Sequence, residues 1–285
     1  MRTSEFEAER GRLQRLAYRM LGSVSEAEDV VQDAWLRWTR AGAEVIEPAA
    51  WLVRVVTRLC LDRLRAAKAE REAYRGPWLP EPLIEPLVED PVERAEDVSV
   101  AFLLALERLS PLERAVFLLR EAFEEDYAAI AEVLGRSEPA VRQLAARAKA
   151  HLRQARPRFA VDRAEAERLA HAFLAASASG DAQGFAAILA KDAIMVSDGG
   201  GKRAASLRVL VGPDDIAGLF RGVAARHGAP EVKAMRLARI NGCPGVVLEF
   251  DDGPQTIALE PGADGLISAI YVVRNPEKLG HVAPL

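Results

Sequence analysis

The feature that most constrains this chain is the stretch Tyr127–Leu144, where two short apolar-faced segments meet at a turn that few residue types tolerate. Two helices that cross closely need a small residue at the crossing, and Ala131 sits there. The turn needs a residue at ease with positive φ, and Gly135 supplies it. Ile130, Leu134, Val141 and Leu144 flank the crossing, Ser137 stands where a second helix would be capped, and Pro139 falls in that helix's first turn. This agreement predicts a helix-turn-helix. Such a unit presents the outer face of its second helix to the DNA major groove, leading with its N-terminal residues. Ser137, Glu138, Arg142, Gln143 and Arg147 lie on or near that face, with Val141, Leu144, Ala145 and Ala148 inward. Arg142 and Gln143 suit base edges, whereas Lys149, His151 and Arg153 suit phosphates. The alternative is an ordinary helical hairpin with a solvated basic face. The charge of +6 over residues 136–161 weighs against it.

That charge belongs to a strong division along the 285 residues, whose total is only −4. Residues 1–75 carry +2, residues 76–135 carry −10 and residues 162–285 carry −2. A basic segment abutting an acidic one implies that one part meets a polyanion and another can mask it. With 50% apolar and 28% charged residues the composition is globular, and the length suits about two or three domains. No apolar run approaches the ~18 residues of a membrane span. The N-terminus MRTSEFEAER is polar where a secretory signal would be apolar. Cys60 and Cys243 lie far apart without metal-ligand spacing. These features predict a cytoplasmic protein with no membrane contact, no cofactor and no metal site.

Periodicity divides the chain further. In residues 1–75, Leu13, Leu16, Ala17, Met20 and Leu21 share one helical face, and Gly22-Ser23 breaks that run. Ala27, Val30, Val31, Ala34, Trp35 and Trp38 form a second stripe, and Leu52, Val55, Val56, Leu59 and Cys60 a third. Residues 76–94, with five prolines, read as an acidic linker excluded from regular helix or strand. Its Trp78, Leu79, Leu83, Ile84 and Leu87 are too apolar for an inert spacer and imply docking. Residues 95–160 return to helix, with a strong start at Ser110-Pro111-Leu112-Glu113. In residues 161–285, helical text is followed by strand-like runs at 232–240, 245–250, 255–259 and 266–273, separated by turns at Asn241-Gly242, Asp252-Gly253 and Asp264-Gly265. Helices followed by an antiparallel meander predict an α+β domain.

Two surfaces of the first helical block stand out. Opposite the second stripe lie Asp29, Gln32, Asp33 and Leu36, with Arg37 at the margin, a polar face with a central leucine that suits a partner helix. A plain solvated face is the alternative. On the third helix Arg54, Arg58, Arg65 and Lys68 fall on one side and can follow a phosphate backbone. Trp38 and Trp51 suit either stacking on bases or the core.

These blocks resemble the extracytoplasmic-function sigma factors of the sigma-70 family. The residues that carry the likeness are Leu16–Gly22, Ala27–Arg37, Ala50–Arg65 and Leu109–Arg153, which correspond to that family's regions 2 and 4. The resemblance implies an all-α region 2 and an all-α helix-turn-helix region 4. It further implies a partner, core RNA polymerase, contacted through its β′ clamp helices and β flap, and promoter DNA read at −35 and −10 elements. The α-helical face from Asp29 to Arg37 would meet the clamp helices, and the Arg54–Lys68 stripe the −10 element. The loop Ala41–Pro48 would hold an unstacked base, whose extraction costs a few kcal/mol. The chain also resembles a subgroup with a C-terminal SnoaL-like (NTF2-like) domain, a cone-shaped α+β fold. That subgroup's Trp-Leu-Pro-Glu-Pro, Asp-Gly-Gly-Gly-Lys and Asn-Pro-Asp-Lys-Leu motifs stand here as Trp78, Leu79, Pro80, Glu81 and Pro82; as Asp198, Gly199, Gly200, Gly201 and Lys202; and as Asn275, Pro276, Glu277, Lys278 and Leu279. Glutamate replaces aspartate at 277 and keeps the charge.

Relatives of the SnoaL type include isomerases and cyclases with a buried carboxylate beside a histidine or tyrosine. Here Asp198 and Glu249 are the candidate acids and His151, His171, His227 and His281 the histidines, with no acid–base pair visible. A fold does not carry a function with it. The expectation is therefore a non-enzymatic modulator whose loop Asp198–Lys202 and tail Asn275–Leu279 contact regions 2 and 4 and the linker, with an unidentified small ligand in the C-terminal cavity left open. The alternatives are a helix-turn-helix regulator that never touches polymerase, and an isomerase or cyclase tethered to a DNA-binding module.

Overall fold

The structure is a computed structural model that describes residues 2–41, 45–85, 99–152, 163–179, 182–227 and 231–283. The chain divides into two compact units, Met1–Ala73 with Ala101–Ala155, and Tyr74–Val100 with Arg156–Leu285. The segment that follows the first three long helices thus groups with the C-terminal part.

In the first unit, α1 (Arg2–Leu21), α2 (Val24–Arg40) and α3 (Pro48–Ala66) pack together and are followed by the short α4 (Lys68–Glu72). Ser23 ends the break between α1 and α2 by accepting the Glu26 N–H at 3.1 Å, and Pro48 opens α3. The three apolar stripes meet as a core that fully buries Leu13, Leu16, Met20, Val30, Ala34, Leu52, Val56 and Cys60. Burial pushes the Cys60 thiol far above its ordinary value. Trp38 is buried beside Trp51, with ring centroids 5.5 Å apart, so of its two possible roles it takes the core one. Trp35 lies only half-buried against Phe6.

The remaining helices of this unit are α5 (Val100–Glu107), α6 (Pro111–Glu121), α7 (Tyr127–Leu134) and α8 (Glu138–Leu152). Ser110 and Glu113 form a reciprocal capping box at the start of α6. Burial opposes the ionised form of Glu113, but hydrogen bonds from the Ser110 hydroxyl and N–H more than offset it and hold the carboxyl below its usual range. Gly135 closes α7 at φ +61°, and its N–H and that of Arg136 satisfy the last carbonyls. Val141, Leu144, Ala145 and Ala148 of α8 face inward. The helix-turn-helix is therefore built as the turn residues require.

The second unit begins with β1 (Ile84–Glu85) and continues with α9 (Arg163–Ser179), α10 (Ala182–Ile188), β2 (Leu189–Asp198), β3 (Leu210–Val211) and α11 (Gly212–His227). A meander follows: β4 (Ala234–Ile240), β5 (Cys243–Phe250), β6 (Gly253–Pro261) and β7 (Ile267–Val273), then a 3-10 turn at Pro276–Lys278. The sheet order is β1-β4-β5-β6-β7-β2-β3, all antiparallel except β2 with β7. Asn241 and Gly242, both at positive φ, form the two-residue loop between Ile240 and Cys243. One face of the sheet packs on α9, α10 and α11. Phe173, Phe185 and Phe220 lie in that layer with centroids 5.2–6.0 Å apart, among Leu169, Leu248, Leu259 and Ile270. The α+β architecture, with helices on one face of a mostly antiparallel sheet, is the expected one.

The other face carries a correction. The linker was expected to hold no strand, yet Ile84 and Glu85 pair with Ile240 and Arg239 at the sheet edge. Leu83 donates its N–H to Asn241 Oδ1 and accepts the Asn241 N–H at 2.8 Å. Proline is tolerated beside an edge strand because only one side of the backbone must pair. Leu87 and the rest of 86–94 lie outside the described residues, as do positions 42–44 of the Ala41–Pro48 loop and Arg153.

Replacing Glu113 by Gln removes the charge that the capping box holds. It should cost about 1 kcal/mol near neutral pH. Because the folded carboxyl is held low, its contribution is present above the ordinary carboxylate range and fades as pH falls through the folded value. Urea unfolding of wild type and Glu113→Gln should therefore converge in acid, whereas a pH-independent gap would refute the assignment.

Candidate nucleic-acid interface and linker-bound loop

Ser137, just before α8, and Arg142, Gln143, Arg147 and Lys149 on it are exposed, and Glu138 is half-buried. Arg142 binds Glu138 through Nε at 3.0 Å and lies 4.4 Å over the Tyr127 ring. Arg147 reaches Glu113 at 3.4 Å and Lys149 reaches Glu121 at 2.8 Å, both acids on α6. Gln143 and Ser137 make no such pair among the described residues. The exposed pairs Arg142–Glu138 and Lys149–Glu121 are worth about 0–1 kcal/mol, so phosphates can displace them. His151 is exposed at the end of the same helix.

The basic stripe expected on the third helix is divided, and its last member, Lys68, opens α4 rather than continuing α3. Arg65 and Lys68 sit in exposed pairs with Asp62 at 3.0 Å and Glu72 at 3.8 Å. Arg54 instead binds Glu132, and Arg58 donates Nε–H to the Val133 carbonyl at 3.1 Å, both on the last turn of α7. The first helix of the helix-turn-helix thus holds two of the four cations expected on DNA. Sequence reasoning missed the group that ties these blocks together. Glu107 accepts from Arg71 at 2.5 Å and from Arg114 at 2.7 Å, while Arg114, 3% exposed, also donates to the Met20 carbonyl at 2.6 Å. A cation facing the end of α1 satisfies its orphan carbonyls. On α2, Asp29, Gln32, Leu36 and Arg37 are exposed and Asp33 half-buried, with Leu36 at 43%. Arg63 of α3, which the sequence did not single out, reaches Asp29 at 3.6 Å and Asp33 at 3.4 Å.

In the second unit the three motifs converge on one carboxylate. Asp198, at the end of β2, is fully buried. Its Oδ1 accepts the Tyr74 hydroxyl at 2.6 Å and the Gly200 N–H at 2.9 Å; its Oδ2 accepts the Leu79 N–H at 2.8 Å and Lys278 Nζ at 2.7 Å. Lys278 also donates to the Leu79 carbonyl and lies 4.2 Å from the Trp78 ring centroid and 4.8 Å from that of Tyr74. Asn275 donates Nδ2–H to the Tyr74 oxygen at 2.8 Å and caps the turn through Glu277 N–H. Burial, and then the hydrogen bond to Asp198, push the Tyr74 phenol upward. Lys202 pairs with Glu277.

The loop's glycines answer to this geometry. A Cβ on Gly199 would stand 2.2 Å from the Arg203 carbonyl oxygen, and one on Gly200 would stand 2.3 Å from the Asn275 amide. Leu79, Pro80, Glu81, Pro82 and Leu279 are buried, and Trp78 is half-buried. His281 is an unexpected member, with Nε2 2.8 Å from the Pro82 carbonyl and Nδ1 4.0 Å from Glu81.

The family described as Sigma-70 region 2 matches residues 6–70, and Sigma-70, region 4 matches residues 99–152. Over 290 residues the chain is 39% identical to the ECF RNA polymerase sigma factor SigJ of Mycobacterium tuberculosis, covering 98% of this chain and 93% of that one. The chain belongs to the ECF family of RNA polymerase sigma factors. The probable ECF sigma factor SigI of the same organism is 36% identical over 185 residues, 63% of each chain. The crystal structure of the M. tuberculosis SigJ superposes with a TM-score of 0.77 at 35% identity, covering 98% of both chains. Region 2 is therefore the bundle of α1–α3, and region 4 is α5–α8 with the helix-turn-helix inside it. Sigma factors of this family work with RNA polymerase and promoter DNA, and the two regions support promoter-directed initiation. No helix among the described residues of this sigma factor is long and apolar enough to cross a membrane.

Removing the Asp198 carboxylate leaves the Lys278 ammonium without its counter-charge. Asp198→Ala should cost about 3–5 kcal/mol, the range for breaking a buried pair. Combining it with Lys278→Met should cost less than the two single changes added together, as chemical denaturation of all four proteins will read. Additive losses would show that the pair is not coupled.

Proposed function

We propose that this sigma factor uses its C-terminal domain to set where the inter-region linker lies, and through it how regions 2 and 4 reach the promoter. The observation that carries this reading is the buried Asp198 carboxylate, half of whose hydrogen bonds come from Tyr74, just before the linker, and Leu79 within it. The linker joins the two DNA-reading regions, so fixing its start fixes the span available to them and their effective concentration on DNA. Trp78–Pro82, Asp198–Lys202 and Asn275–Leu279 together form the control site.

The individual surfaces take the following roles. Asp29, Gln32, Asp33, Leu36 and Arg37 meet the β′ clamp helices of core polymerase, and region 4 meets the β flap. Ser137, Glu138, Arg142 and Gln143 read the −35 element in the major groove, while Arg147 and Lys149 trade their acidic partners for phosphates. Arg54, Arg58, Arg65 and Lys68 face the −10 element. The contacts of Arg54 and Arg58 with α7 support a closed state of the regions 2 and 4, in which that stripe is not free for DNA. Binding polymerase and opening this contact belong to one step.

Run-off transcription with core polymerase tests the control site. Tyr74→Phe deletes a donor to Asp198 and should change promoter-dependent transcript yield while leaving association with core polymerase as it was. Unchanged yield would remove the C-terminal domain from regulation. Separately, Glu132→Gln takes the counter-charge from Arg54. It should raise the promoter affinity of the free protein several-fold at low salt, with a gain that shrinks as salt is added. Equal anisotropy titrations for the two proteins would refute the closed state.

A further inference from the structure

A cleft of about 280 Å³ opens beside the Asp198–Lys202 loop, lined in part by that loop's own Gly199, Gly201 and Lys202. Arg75, Gly76, Ser197, Gly201, Lys202 and Ser206 are among its walls. We propose that it binds a small phosphorylated anion.

Three groups with unused hydrogen-bonding capacity come together there. Arg75 is exposed, and its guanidinium makes no hydrogen bond or ion pair among the described residues. Its aliphatic stem rests on Gly201, where a Cβ would come within 3.2 Å of Arg75 Cδ. Gly200 and Gly201 are consecutive residues at φ +61° and +71°, a backbone turn that L side chains resist. The neighbouring amides are spent: Gly200 N–H on Asp198, Lys202 and Arg203 N–H on the Gly199 carbonyl. The Gly201 N–H has no partner among the described residues. Ser197, 4% exposed, lines the same cleft, and its hydroxyl makes no hydrogen bond among them either. The residue is buried but its hydroxyl opens on the cleft, where it can donate to a ligand oxygen.

The charge balance selects an anion. Around the cleft stand Arg75, Lys202, Arg203 and Arg274 against Glu277 and Asp252, the latter shared by Arg203 at 3.6 Å and Arg274 at 3.0 Å. Asp198 is committed to Lys278. A planar guanidinium fork, a free backbone N–H in a glycine turn and a hydroxyl donor together match the oxygens of a phosphate group. The volume holds that group and a few further atoms, less than the ~300–1,000 Å³ of sites for larger ligands. All three residues line one concavity rather than an extended groove, which favours a discrete phosphate over a nucleic-acid strand.

Inorganic phosphate titrated into the full chain at constant ionic strength, followed by calorimetry, tests this. One saturable site is expected, weakened roughly tenfold or more by Arg75→Gln and less by Ser197→Ala. Arg10→Gln, an exposed change on α1, should leave it intact, and Arg75→Lys should restore part of the binding. Glycerol phosphate in place of phosphate separates the sources: tighter binding assigns a phosphate monoester, equal binding the free ion. Absence of a saturable site, or a site insensitive to Arg75→Gln, overturns the proposal. So does duplex DNA binding that depends on Arg75 without any phosphate site. None of these outcomes depends on transcript yield, so the control-site reading stands or falls separately.

Discussion

A carboxylate with no exposure to water must find all of its solvation in the protein, and Asp198 does so with four donors. One is a full positive charge, one is a phenol, and two are backbone amides. Burying a charge in this way is weak evidence for stability, because desolvation of both ions offsets most of their attraction. It is strong evidence for specificity. A linker displaced from this position would leave Asp198 and Lys278 short of partners. Apolar contacts of Leu79, Pro80 and Pro82 would tolerate a small shift; the carboxylate does not.

The first unit shows two grades of polar contact. Glu107, Arg71 and Arg114 connect α4, α5 and α6 with the ends of α1, and Arg114 is nearly inaccessible to water. The contacts of Arg54, Arg58, Arg147 and Lys149 are more open to solvent, and salt or phosphates compete with them. The same surface that would engage DNA is therefore held by interactions weak enough to exchange. The anchoring between the regions lies elsewhere, at a buried cluster.

Much of this architecture is written locally. Gly135, Ala131 and Ser110-Pro111 specify the turns and helix starts without reference to the rest of the chain. Asn241-Gly242 likewise places the first hairpin of the meander. What lies outside local reach is long-range pairing. Ile84-Glu85 is too short for periodicity, sits between prolines, and finds β4 more than a hundred residues away. The parallel pairing of β2 with β7 has no turn to announce it. Arg114 reads as a surface cation on an amphipathic helix, since nothing in its neighbours reveals that the end of α1 covers it. Periodicity also overstated the depth of Trp35, which shares a stripe with Trp38 but reaches only the rim. The residues gathered around Asp198 and the linker are scattered from Tyr74 to His281, and only the family likeness grouped most of them; Tyr74 and His281 fell outside every motif.

The edge strand and the two aromatic rings over Lys278 come from upstream of the helix-turn-helix, whereas the fold they complete is encoded after it. The C-terminal domain is thus not a self-sufficient cassette. A graft of it onto another protein would have to carry the segment from Tyr74 to Glu85 along, or present bare β4 backbone and a solvent-exposed ammonium to its new host. Recombination that shuffles such domains between chains must move two separated stretches of coding sequence together, which ties this appendage to its own sigma regions more firmly than its position at the end of the chain suggests.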